Sequence, residues 1–364
     1  MPMPSRKVVI NARFLTQTLT GVQRFSKELV RAIDTELASG GSDVTIEMVA
    51  PQGVAPLANL RHLEQHCGGH LQGIAWEQLE LSRLSGRSLL LSLGNTGPML
   101  RRRQLVVIHD ASVYAHPEAY SHRFVMYYRS LLWALSHRAQ RILTVSEFSR
   151  RELQRYLHIP EPRFAVIQEG CEHVLRAPGE HAILERLGVE PDKYVLGVST
   201  TQPYKNLGRL VQAFVRLSRP DMRLVLVGSV DPDVFVSQNL EVPADVVLAG
   251  RVSDGELRAL YENAVAFVFP SLYEGFGLPP LEAMACGCPV VVSQAASLPE
   301  VCGEAVLYCD ALDEQSIAGQ LARLLNNTEL RERMIQLGYQ RAAEFTWQRC
   351  AREVLSLVEE ELVR

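Results

Sequence analysis

A chain of 364 residues is long for one hydrophobic core and points to two domains of about 100–200 residues each. Its 47% hydrophobic and 21% charged content is that of an ordinary globular protein and excludes disordered and fibrous classes. The net charge of −4 is unevenly divided: residues 1–172 carry 20 Lys+Arg against 15 Asp+Glu, and residues 173–364 carry 17 against 26, an excess too small and dispersed for nucleic acid.

The first thirteen residues lack an apolar stretch ahead of their charges, so no signal peptide is expected, and no apolar run reaches the roughly 18 residues of a membrane span. Seven scattered cysteines, an odd number, fit a reduced cytosol.

In chain order, residues 7–11 read as a first strand and 22–37 as a helix, by the spacing of Val22, Phe25, Leu29, Ala32 and Ile33. Thr20-Gly21 opens that helix, where free N–H groups can meet phosphate, although a glycine there is more often a turn residue. Strands are expected at 44–50, 89–93 and 105–108, with 51–72 irregular or a short helix. His109-Asp110 follows the 105–108 strand at its carboxyl end, the ligand side of an open parallel sheet. A lone histidine there is more often structural than catalytic, and Asp110 ties the loop by backbone hydrogen bonds. Between His122 and Tyr156, seven arginines against two glutamates are interleaved with Phe124, Tyr127, Tyr128 and Trp133, which suits a solvated domain surface and an anionic membrane interface equally well. A strand at 165–168 closes this half, and the polar stretch 171–179 reads as a hinge linker.

The second half alternates strands at 194–198, 224–227, 246–248, 264–269 and 289–292 with helices at 206–217 and 254–263, then ends in helices at 317–325, 330–345 and 346–363. Such alternation in both halves argues for two doubly wound α/β domains across a cleft. The loop 197–206 carries Ser199 and, just before a helix, Lys205, whose charge can meet a diphosphate, although most exposed lysines do nothing of the kind. Asp231-Pro-Asp233 has the spacing of a metal site, but the proline more simply marks a surface turn. Cys286 and Cys288 lack a second cysteine pair or a histidine cluster and are read as core residues, so no metal is expected. Gly250-Arg251-Val252 follows a strand on the ligand side. The richest stretch is 265–301: a buried strand, then Glu274, Gly275 and Gly277, then Pro279, Pro280 and Glu282 in the first turn of a short helix stopped by Gly287. Taken singly, Glu282 reads as a first-turn glutamate facing the helix dipole and Glu274 as a solvated loop carboxylate.

Together, two glutamates with seven residues between them across G-F-G-L-P-P form a specific pattern. The segment resembles the E-x7-E motif of retaining glycosyltransferase family 4. The runs 109–118, 127–129 and 143–149 resemble the mannosyltransferase-like members, and residues 20–24 resemble the family's glycine loop. The resemblance implies a GT-B architecture, α/β with two Rossmann-like domains: 1–172 for the acceptor, 180–346 for the donor, and a helix at 347–364 crossing back to the first. It implies a hexosyltransferase acting with retention, without metal or other cofactor, on a nucleotide diphosphate sugar, GDP-mannose foremost. The acceptor would be a saccharide or polyprenyl-pyrophosphate-linked glycan of bacterial polysaccharide or glycolipid synthesis, met in the cytoplasm or at an anionic inner membrane face.

By the same resemblance His109 and Glu274 orient the sugar, Glu282 holds the ribose, and Ser199, Arg251 and Val252 meet the rest of the donor. Lys205, Gly21 and the amides near Phe276, Gly277 and Leu278 would receive the diphosphate. Tyr204 stands where the family has the first residue of a basic pair, leaving Arg209, Arg251 or Arg24 to supply that charge. A UDP-sugar transferase of the same fold and a non-catalytic nucleotide-sugar-binding scaffold remain as alternatives. A phosphorylase would need a pyridoxal phosphate lysine, and the second half offers only Lys193 and Lys205.

Overall fold

A computed structural model describes residues 7–40, 44–229 and 243–364. The chain divides into two compact units, Met1–Gly170 with Thr346–Arg364, and Cys171–Phe345. Each is an open parallel sheet with helices packed on it.

The first unit has seven strands: β1 (Lys7–Asn11), β2 (Thr45–Ala50), β3 (Glu64–Cys67), β4 (Leu89–Ser92), β5 (Gln104–Val107), β6 (Arg141–Thr144) and β7 (Phe164–Val166). Their order is β3-β2-β1-β4-β5-β6-β7, so the chain reverses its direction of travel across the sheet between β1 and β4. Val9 pairs with Glu47 on one side and Leu90 on the other, which fixes the register there. Val9 and Leu90 pack with Trp76 and Leu81, while Val106 and Ile142 pack with Leu131 and Leu135 of a long helix. The helices used below are α1 (Gly21–Ala38), α2 (His122–Arg138) and α3 (Glu147–Leu157). Residues 51–72, expected to be irregular or helical, contain β3, whose sequence Glu-Gln-His-Cys carries no apolar signal because it lies at the sheet edge on β2.

The second unit has β8 (Tyr194–Val198), β9 (Arg223–Val227), β10 (Val246–Gly250), β11 (Ala266–Phe269), β12 (Val290–Ser293) and β13 (Leu307–Cys309), in the order β10-β9-β8-β11-β12-β13. The reversal here falls between β8 and β11. Its helices include α4 (Leu207–Arg216), α5 (Asp254–Asn263), α6 (Leu278–Ala285), α7 (Glu314–Asn326) and α8 (Thr328–Ala342). Val195, Leu224 and Val268 of the sheet, Leu210 and Phe214 of α4, and Leu321 and Leu324 of α7 form one buried core. Cys286 and Cys288 are buried, and burial first, with the Glu282 carboxylate second, pushes the Cys286 thiol up to about 12; such thiols are inert packing groups.

The last helix, α9 (Trp347–Val363), belongs to the first unit and lies against α1. Cys350, Ala351, Val354, Leu355, Val358 and Leu362 make its buried stripe, and Thr346 caps its start by accepting from the Arg349 amide.

Candidate functional site

In an open parallel sheet, ligands bind outside the carboxyl ends of the strands where the strand order reverses. In the second unit that point is flanked by the loops leaving β8 and β11, which carry Lys205 and Glu274. Lys205 Nζ donates to both oxygens of Glu274, at 2.8 and 2.9 Å, and the two side chains are 19% and 11% exposed, enough to be reached from solvent. Lys205 ends the short turn Pro203–Lys205; Asn206 follows with φ +63° and fastens the loop by donating to the Pro270 and Ala311 carbonyls. Arg209, in the first turn of α4, donates to Asn206 Oδ1 at 2.9 Å, so a second cation stands beside the same loop. Tyr204 is turned inward: it is 9% exposed, lies edge-on to Tyr273, and has Lys205 Nζ 5.4 Å from its ring centre. It packs the loop.

The glycine-proline loop is held just as firmly. Gly277 caps α6 at φ +108°, and a Cβ there would meet Leu298 Cδ2 at 2.7 Å, so the position requires glycine. Ser297, fully buried, has its hydroxyl 3.0 Å from the Glu274 carbonyl and 2.7 Å from that of Phe276. The Phe276 ring is buried edge-on to Phe345. Pro279 and Pro280 have no N–H, so the free donors at this helix start narrow to the amides around Gly277 and Leu278.

Glu282 corrects the expectation of a first-turn residue. It is the fifth residue of α6, beyond the turn where the helix dipole acts, and is 7% exposed. His173 Nε2 donates to its Oε1 at 2.8 Å, and Tyr261 Oη donates to its Oε2 at 3.1 Å. Burial first, and the Glu282 charge second, hold the Tyr261 hydroxyl well above its ordinary pKa, so it stays a donor. His173 lies in the stretch expected to be a hinge linker. That stretch is instead packed: Cys171, His173 and Val174 are buried, and Arg258 donates to the Leu175 and Ala177 carbonyls. Its polar look concealed a histidine committed to a glutamate 109 residues away.

Ser199, Gly228-Ser229 and Gly250-Arg251 end β8, β9 and β10 side by side. The Gly228 amide donates to the Gly250 carbonyl at 2.8 Å, and Arg251 Nε donates to Ser229 Oγ at 2.8 Å. Val252 follows, half-buried. Asp231 and Asp233 lie outside the described residues.

In the first unit, His109 lies just beyond β5, buried at 5% exposure; Nε2 donates to the Leu93 carbonyl at 3.0 Å, and Nδ1 faces Glu169 Oε1 at 3.5 Å. Phe25 of α1 meets its ring edge-on at 4.6 Å and is itself backed by Trp347 of α9 at 5.8 Å. A contact from the His109 ring to a ligand therefore requires one of its two polar contacts to be released. The next residue, Asp110, accepts from the Ser112 amide at 2.7 Å, as expected of a loop tie. Gly21 begins α1, exposed, with no side-chain cap at Thr20 and no acidic residue in the first turn, so that turn's amides are open to an anion. Sequence reasoning missed Glu169, His173 and Tyr261. No local pattern marks them, since each gains meaning from a partner distant in the chain.

A sequence model of the family described as "Glycosyl transferases group 1" matches residues 182–341. The O-antigen chain mannosyltransferase B of Escherichia coli is 34% identical over 269 residues, covering 71% of this chain and 71% of the relative. The O-antigen chain mannosyltransferase RfbU of Salmonella typhimurium is 28% identical, covering 65% of this chain and 64% of the relative. Among solved structures, Anabaena HepE in complex with UDP-glucose superposes with a TM-score of 0.74 at 16% identity, over 97% of this chain and 99% of that one, a likeness of fold.

Proposed function

The chain belongs to the glycosyl transferases group 1 family, and from that premise we propose that this hexosyltransferase moves mannose from GDP-mannose to a saccharide hydroxyl, with retention at the anomeric carbon, in lipopolysaccharide O-antigen synthesis. The observation that carries this reading is the meeting of Lys205 and Glu274 at the reversal point of the second sheet. The donor binds the unit Cys171–Phe345; the acceptor, a saccharide or polyprenyl-pyrophosphate-linked glycan, binds the unit that contains His109.

In the reaction the acceptor oxygen bonds to the anomeric carbon as that carbon's bond to the diphosphate oxygen breaks. The bonding pair leaves with the diphosphate, and the acceptor proton passes to a diphosphate oxygen on the same face. The protein's task is to stabilise the negative charge that builds on the leaving group. Lys205 spends two ammonium protons on Glu274 and keeps a third for a phosphate oxygen. Arg209 supplies the second positive charge, and the amides near Phe276, Gly277 and Leu278 complete the anion site. Glu274, oriented by Lys205, receives sugar hydroxyls; Glu282 receives those of the ribose; and Ser199, Arg251 and Val252 border the rest of the donor. No metal or other cofactor enters this scheme.

A thermal-shift series on the full chain with GDP-mannose, UDP-glucose, ADP-glucose and dTDP-glucose tests the donor. The largest stabilisation is expected from GDP-mannose. A larger shift with UDP-glucose replaces it by a UDP-sugar transferase, and donor binding with neither transfer nor slow donor hydrolysis makes the chain a nucleotide-sugar-binding scaffold. Product anomeric configuration by NMR tests retention.

A further inference from the structure

Glu282 is brought to its place by three separate elements: α6, which carries it, α5, which supplies Tyr261, and the short turn Glu172–Leu175, which supplies His173. Each carboxylate oxygen has two acceptor positions, so Glu282 offers four in all. His173 takes one on Oε1 and Tyr261 one on Oε2. Held from two sides, the carboxylate has a fixed plane. Neither partner is free to follow a ligand. Tyr261 is fully buried and edge-on to Phe267, and the turn bearing His173 is fastened at both ends, by the Cys171 amide on the Phe345 carbonyl and by Arg258 on the carbonyls of Leu175 and Ala177.

A carboxylate so little exposed needs strong hydrogen bonds to stay charged, and an apolar residue would fill the same space at less cost. We propose that His173 is a positioning residue for donor binding: its Nε2–H holds Glu282 in the orientation that receives the nucleotide's ribose, with Tyr261 as the second fixed donor. This rests on the ribose role of Glu282. The contact with ribose is the same before and during sugar transfer, so disturbing it changes donor affinity and leaves the chemical step alone.

The test compares His173→Leu, which removes the donor at similar volume, with His173→Gln, which restores an N–H, in the full chain. Donor KM and kcat are measured, with GDP affinity by calorimetry and melting temperature alongside. The expected result is a rise in donor KM and GDP dissociation constant of about 10-fold for H173L, kcat within about two-fold of wild type, and recovery of most of the loss in H173Q. Unchanged KM in H173L overturns the proposal, as does a loss of kcat that parallels a fall in melting temperature and is not rescued by glutamine. If H173L does not fold, Tyr261→Phe decides, because it deletes a donor and keeps the ring: KM must rise at constant kcat. Glu282→Ala separates the two layers. If it leaves GDP affinity intact, the ribose reading itself fails; if it weakens GDP while the His173 variants do not, only the positioning role fails.

Discussion

Lys205 and Glu274 cannot be judged one at a time. Replacing Lys205 by methionine leaves a mostly buried carboxylate without its strongest partner, which we expect to lower stability by about 1–3 kcal/mol in addition to any effect on turnover. The double variant K205M/E274Q removes the stranded charge and should regain most of that stability in urea denaturation, while kcat stays down by about 100-fold through loss of leaving-group stabilisation. Wild-type kcat in K205M would mean that the cation at the diphosphate is another residue, with Arg209 the first to test. Gly277 presents a simpler case. Alanine at φ +108°, with its Cβ pressed on Leu298, should cost about 1–3 kcal/mol, read as a lower melting temperature. Both the glutamate spacing and the need for glycine were legible in the sequence, because they are local. The pairing of Lys205 with Glu274, across 69 positions, was not.

At the scale of elements, the strands and helices with a strong apolar period were placed within a few residues. β8 and α5 coincide with expectation, and α1 extends it by one residue at each end. The misses have two causes. β6 and β13 lack the long apolar runs that mark strands of similar length such as β4 and β11, and β3 is polar. The turn Glu172–Leu175 read as linker because its buried polar residue is satisfied by a distant partner. Loops here are fixed by side chains from other loops, which gives a prediction: Ser297→Ala removes the hydroxyl that fastens the carbonyls of Glu274 and Phe276 and should raise donor KM about three- to ten-fold with little change in melting temperature. Unaltered donor KM would show that the loop is held without it. Trp347→Ala should cost about 3–5 kcal/mol in denaturant unfolding, since α9 uses that ring to back Phe25 and, through it, His109.

For the whole molecule, the charge asymmetry seen along the sequence is retained in the compact units. The unit Met1–Gly170 with Thr346–Arg364 carries 23 Lys+Arg against 18 Asp+Glu, and the other 14 against 23. In the basic unit, α2 leaves Phe124, Met126 and Trp133 exposed, the last two at 59% and 58%. We therefore expect the full chain to float with vesicles containing anionic phospholipid at low ionic strength and to be released by salt, with Trp133→Ala weakening the association. Equal behaviour with neutral vesicles would remove the electrostatic part of that proposal. Transferase activity is expected to persist in EDTA; activity lost on chelation and restored by a divalent ion would bring Asp231 and Asp233 back into consideration.

The run from Glu169 to His173 bears on how such enzymes can be recombined. Glu169 serves His109 in one unit and His173 serves Glu282 in the other, with the unit boundary after Gly170. A chimera joined at the polar stretch near Gly179 would part His173 from its glutamate and leave the grafted half with a foreign residue behind Glu282. Joined at Gly170, each histidine keeps its native glutamate. The opposite joint is fixed too: the Cys171 amide bonds the Phe345 carbonyl, so the second unit enters and leaves at one point and can be exchanged as a cassette between Gly170 and Thr346.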